Sequence, residues 1–249
     1  MISSERKYLI SVIAISVCLV LIKYIVSYYY NPNESLFFKI INLGEKDFTL
    51  YSYIVESLSR LDLYTDWNEV EQAKGIIGFP IFSVIWHSIV YIFFGHYTFL
   101  VLEIFFYPLL IVLIFKVIYC LNENLNHSII TTTLLFLLLE FLILVNALFD
   151  INFLSVVQLP IYEFLIYRFP RPLVTSTYLF AFIFFLLKFN SQQNTKLTYS
   201  YSLIFGTLLF LLINSFFFIF VTCVIAIFIY SIIRLKEKIF SFFQENILQ

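Results

Sequence analysis

From Tyr199 to Ile233 the chain carries no charged side chain, and this run limits the available folds more than any other feature. It exceeds the roughly 20 residues that cross a bilayer, so it is read as two helices turning near Asn214 and Ser215. Further apolar segments lie at about 76–94, 97–120, 128–149 and 172–189, preceded by a first from Tyr8 to about Tyr30. Hydrophobic residues make up 61%, aromatic residues 21%, and mean hydropathy is +0.94, well outside the soluble globular range. The expected fold is all-α: a polytopic transmembrane helix bundle forming a single membrane domain over 1–249. It would hold about six crossing helices, one interfacial or re-entrant helix near 76–94, and a loop of juxtamembrane helices outside the cytoplasm.

Charge excludes one class of partner. The net charge is -1, and the densest basic cluster, "RLKEK", is too small for a polynucleotide groove, so nucleic acid is set aside. Cys18, Cys120 and Cys223 fall in or beside apolar runs without CxxC spacing, which suits packing or lipid contact and not disulfides or zinc. The apolar stretch after "MISSERK" is too long for a signal peptide and lacks a small-residue cleavage site, so it is expected to remain as a membrane helix.

Arg6 and Lys7 place the N-terminus in the cytoplasm and residues 31–75 on the outer face. If every apolar segment crossed, "KFNSQQNTK" and "RLKEK" would lie outside, against the positive-inside bias. If "GFPIFSVIWHSIVYIFFG" instead lies along the interface or re-enters, the lysines become cytoplasmic. Residues 150–171 then join the first loop outside, and this second arrangement is preferred. Within the first loop, Phe48 to Leu63 has helical spacing, with Tyr51, Ile54, Val55, Leu58 and Leu61 on one side.

Two polar features then share the outer side. One is the acid-rich first loop, with Asp47 ahead of its helix. The other is "YRFPRPLVTS", whose Arg168 and Arg171 stand among prolines that restrict the backbone and are expected to hold the loop open. Arginine forks bind phosphate bidentately and remain charged, although arginine at a helix end also snorkels to headgroups. Asp47 is a candidate base, or equally a carboxylate favourable at a helix N-terminus. Asp62, Asp66, Glu69 and Glu71 read as solvated charges. Asp150 and Glu163 are candidate second carboxylates, for a divalent metal or to orient the arginines. Glu140 lies in an apolar run and reads as a protonated, hydrogen-bonded acid; His87 reads as a packing residue that could also meet a headgroup.

In order and spacing, "DFTLYSYIVESL" resembles the Asp-x-x-x-Tyr helix that opens the first outer loop of GT-C-type membrane glycosyltransferases. "GFPIFSVIWHSIVYIFFG" is similar to their following proline-led amphipathic helix, and "FGTLLFLLINSFFFIF" to their paired helices. The resemblance implies a multi-pass protein of the bacterial cytoplasmic (inner) membrane. It would transfer sugar from a polyprenyl-phosphate donor at the outer surface, among membrane lipids. In that reading Asp47 is catalytic, and Arg168, Arg171, Tyr51 and His87 contact substrate. Family members run on into further helices, so an N-terminal portion is expected, with a second chain supplying missing helices if the enzyme is split. The alternatives are a non-enzymatic scaffold, which needs no loop acids, and a transporter or flippase subunit, which favours matched broken helices.

Overall fold

The computed structural model describes residues 4–30, 32–33, 35–36, 48–61, 81–138, 171–190, 195–215 and 219–232. Every regular element among them is helical. In chain order these are α1 (Ser4–Tyr30), α2 (Phe48–Ser59), α3 (Ile85–Phe94), α4 (Thr98–Asn122), α5 (Leu125–Thr132), α6 (Arg171–Asn190), α7 (Thr195–Ile213) and α8 (Ile219–Ile232). Short 3-10 turns, Ile81–Ser83 and Gly95–Tyr97, flank α3, and α5 runs into a π-helical stretch, Thr133–Leu138.

The central element is α4, against which α1 and α6 pack, while α7 packs on α6 and α2 on α3. The core follows from that arrangement. Phe106, Tyr107, Leu110, Ile111 and Ile114 of α4 are buried with Val12 and Val20 of α1, and with Leu173, Val174 and Phe182 of α6. Of the cysteines, Cys223 is buried in this core, Cys120 is half-buried and Cys18 is exposed; all three are free.

Helices α1 and α4 run antiparallel, as their polar contacts show. Glu5 at the start of α1 pairs with Lys116 near the end of α4, and Tyr24 near the end of α1 donates to Glu103 Oε2 near the start of α4 at 2.8 Å. At 1.5 Å per residue, the 27 residues of α1 extend about 40 Å, and the 25 of α4 about 37 Å. Among the described residues one helical stretch, Ile85–Asn122, is long and apolar enough to cross a membrane; Leu173–Lys188, Tyr199–Ile213 and Ile219–Ile232 are apolar but shorter.

Turn chemistry explains the connections. Gly95 ends α3 at φ 53° and ψ -137°, its N–H bonded to the Tyr91 carbonyl, which separates the ten-residue α3 from α4. Glu123 closes α4 in the left-handed region at φ 53°, and the Asn124 side chain caps α5 by accepting from the His127 N–H at 3.1 Å. Asn122 Nδ2 lies 3.0 Å from His127 Nδ1 across this turn. The long apolar run breaks at Asn214–Ser215, where the Asn214 and Ser215 N–H groups bond back to the carbonyls of Phe210 and Leu212.

Two expectations are corrected here. The helix read over Phe48–Leu63 ends at Ser59: Leu61 turns to φ 58° and is 88% exposed, whereas Ile54 and Val55 are buried. Arg171 does not stand in an open loop but is the first residue of α6. Pro172 follows in the first turn, where its missing N–H breaks no intrahelical hydrogen bond.

Candidate functional site

The end of the bundle that holds the C-terminal part of α1 and the start of α4 also gathers α3, the start of α6 and the end of α7. The turn Ile81–Ser83 joins them. Phe82 N–H donates to the Asn214 carbonyl at 3.2 Å, Tyr178 Oη–H donates to the Phe82 carbonyl at 3.3 Å, and Trp86 Nε1–H donates to Tyr178 Oη at 2.6 Å. A tyrosine hydroxyl can accept and donate at once, so one side chain of α6 holds two points of the α3 entry. The Phe82 ring meets Phe210 edge-on at 5.1 Å, adding an apolar contact to α7.

His87 lies one residue beyond Trp86 and is fully buried, its ring 5.2 Å from that of Phe99. The structure therefore encloses this candidate in protein and not at a headgroup-facing surface. The exposed side of the same segment carries Trp86, Ile89, Ile92, Phe93, Phe94 and Tyr97. Helix α2 packs against α3, burying Ile54 and Val55, and its Glu56 and Arg60 form an ion pair at 2.5 Å within electrostatic reach of Tyr91.

Of the other candidates, Tyr51 lies in α2 and Arg171 opens α6. Their backbones place both at this end. Asp47 and Arg168 lie outside the described residues, as do Glu140, Asp150, Glu163 and the acids from Asp62 to Glu71. Among the described residues, no three His, Cys, Asp or Glu side chains come close enough to hold a metal ion.

Two charged residues that sequence reading passed over prove structural. Glu103 in "TFLVLEIFF" and Lys116 in "IVLIFKVIY" sit inside apolar runs, and such placement is itself a signal of a paired or functional group. Both meet α1, at Tyr24 and Glu5. Lys116 belongs to the opposite end, where Tyr8 Oη also donates to the Ile129 carbonyl at 3.2 Å and its ring lies 5.0 Å from that of Phe115.

No protein-family model, curated protein or solved structure matches the chain.

Proposed function

We propose that the chain is a multi-pass protein of the bacterial cytoplasmic membrane, similar to the N-terminal portion of GT-C-type glycosyltransferases, and that it transfers sugar from a polyprenyl-phosphate donor at the outer face. The observation carrying this reading is the convergence at one end of the bundle. Helix α2 begins one residue after Asp47 and packs on α3; the entry to α3 is hydrogen-bonded to α6 two turns beyond Arg171.

Orientation supports the same reading. Arg6 and Lys7 mark the start of α1 as cytoplasmic, and the antiparallel α4 then begins outside. Ten residues of α3 extend about 15 Å, half of a hydrocarbon core of about 30 Å, so α3 lies at that outer end without crossing. Lys188, at the other end of α6, falls on the cytoplasmic side.

In this chemistry the acceptor hydroxyl attacks the anomeric carbon and loses its proton to Asp47. The anomeric carbon–oxygen bond to the lipid phosphate breaks, and Arg168 and Arg171 stabilise the charge on the departing phosphate. The test is binding of polyprenyl monophosphate and its sugar-loaded form to the full chain in nanodiscs, alongside sugar transfer in membranes. Asp47→Asn is expected to abolish transfer and leave binding intact. Paired lysine substitutions at Arg168 and Arg171 are expected to weaken binding nearly as much as paired alanines, because lysine keeps charge but loses the fork. Full binding by the lysine pair, or unaltered transfer by Asp47→Asn, refutes the corresponding role.

A further inference from the structure

Exposed side chains change character along the bundle. At the outer end Tyr28 and Tyr29 of α1 are exposed, as is Tyr97 ahead of α4. At the other end Tyr199 of α7 is exposed, as are Arg6, Lys7 and Lys188. That α7 begins at this end follows from its ring contacts with α6, Phe182 with Phe205 at 5.5 Å and Phe185 with Tyr201 at 6.1 Å, which set the two helices antiparallel.

Between these levels the large exposed side chains are hydrocarbon, among them Ile13 and Ile25 of α1, Phe105 of α4, Leu203 and Phe210 of α7, and Phe228 of α8. Tyr24, Tyr107 and Tyr178, which also fall between, are instead buried. Two exposed hydroxyls inside the same band, those of Ser11 and Thr207, bond back to the carbonyls of Lys7 and Leu203 at 3.0 and 2.9 Å. A hydroxyl facing water has water to bond, whereas one facing hydrocarbon has only its own helix. The band is about 32 Å high along α1 from Lys7 to Tyr28, and about 26 Å along α6 from Arg171 to Lys188. A bilayer's hydrocarbon core is about 30 Å thick, and tyrosine, with an apolar ring and a polar tip, is favoured where that core ends.

We propose that lipid acyl chains cover this band, and that the hydrocarbon ends at Tyr28, Tyr29 and Tyr97 on the outer side and at Tyr199 on the cytoplasmic side. The inference rests on the membrane reading above and adds which surface the bilayer covers and where it stops. Glu103 then lies at hydrocarbon depth, where the Tyr24 hydroxyl supplies its hydrogen bond.

The experiment uses the wild-type chain in phosphatidylcholine nanodiscs. It is oxidised briefly by hydroxyl radicals generated in the water or, separately, labelled by a lipid-soluble diazirine, and each site is read by mass spectrometry relative to the same residue in the denatured chain. The radicals are expected to modify Tyr28, Tyr29, Tyr97 and Tyr199. They should leave Phe105, Phe210 and Phe228 at background, although each of these rings is more than half exposed in the bare protein. The diazirine should label the segments that carry the three phenylalanines. Oxidation of those phenylalanines to the relative extent of Tyr29 overturns the band. Absence of both labels there also overturns it, because another protein surface then covers them. Protection of Tyr29 or Tyr199 along with the phenylalanines overturns the placed boundary while the membrane reading stands. The expected pattern in a chain that binds no polyprenyl monophosphate supports the band and removes the sugar-transfer reading.

Discussion

The two ends of the bundle are held together by different means. At the end containing Lys116, α1 meets α4 and α5 through side chains: the Glu5–Lys116 pair, the Tyr8 hydroxyl on the Ile129 carbonyl, and Tyr8 against Phe115, which itself stacks on Tyr119 at 6.1 Å. At the end containing Trp86, a short 3-10 turn is bonded through its backbone to a tyrosine of α6 and the carbonyl that closes α7. Side-chain contacts can fix a helix pair, but they leave the backbone of each helix independent. Bonding a turn through both its N–H and its C=O fixes a non-helical segment, and a site built from several chain segments needs that.

The largest break in this contrast is expected at Phe115, which is fully buried. Phe115→Ala leaves a cavity beside Tyr8 and should cost about 3–5 kcal/mol, read as a lower denaturation midpoint in detergent micelles. Reversing one charge of the nearby pair should do less, since both side chains are about one-third exposed. Lys116→Glu is expected to lose about 1–2 kcal/mol, and adding Glu5→Lys should recover most of it; failure of that rescue would show that the pair contributes no specific contact. The smallest effect is expected at the other end. Tyr178→Phe deprives Trp86 Nε1 of its acceptor and the Phe82 carbonyl of one donor, costing about 1 kcal/mol. Faster amide hydrogen exchange should then appear at 81–88 before it appears in α1, and uniform acceleration would erase the distinction between the ends.

Much of the helical layout was legible because apolar runs in this chain stop at polar or turn-forming residues. The segment read at 97–120 is α4, Thr98–Asn122, ending before Glu123 and Asn124; that at 172–189 is α6, Arg171–Asn190. Asn214 and Ser215 interrupt the last run where two hydrogen-bonding side chains meet uninterrupted hydrocarbon. The end of α2 was not legible. Its apolar spacing continues through Leu61, and nothing local records that Leu61 turns outward. Arg171 was misread because prolines on both sides suggest a loop, whereas a proline in a first turn is compatible with helix. The Glu103 and Lys116 partners lie 79 and 111 residues away in the chain, a separation no periodicity reports. Of the candidate site, His87 and the backbones of Tyr51 and Arg171 can be placed.

Gly95 bears on the handedness of the chain. Its torsions, φ 53° and ψ -137°, are close to the mirror image of the extended polyproline conformation that ordinary residues adopt readily. Beyond the adjoining stretch of chain, no atom lies within 4 Å of where a Cβ would stand, so crowding does not reserve the position for glycine. Chirality does. A D-alanine introduced there by semisynthesis fits both the torsions and the space, whereas L-alanine fits only the space. The elbow from α3 into α4 therefore depends on one achiral residue in a chain of L-amino acids, and the direction in which α3 leaves the bundle is set by stereochemistry at a single carbon.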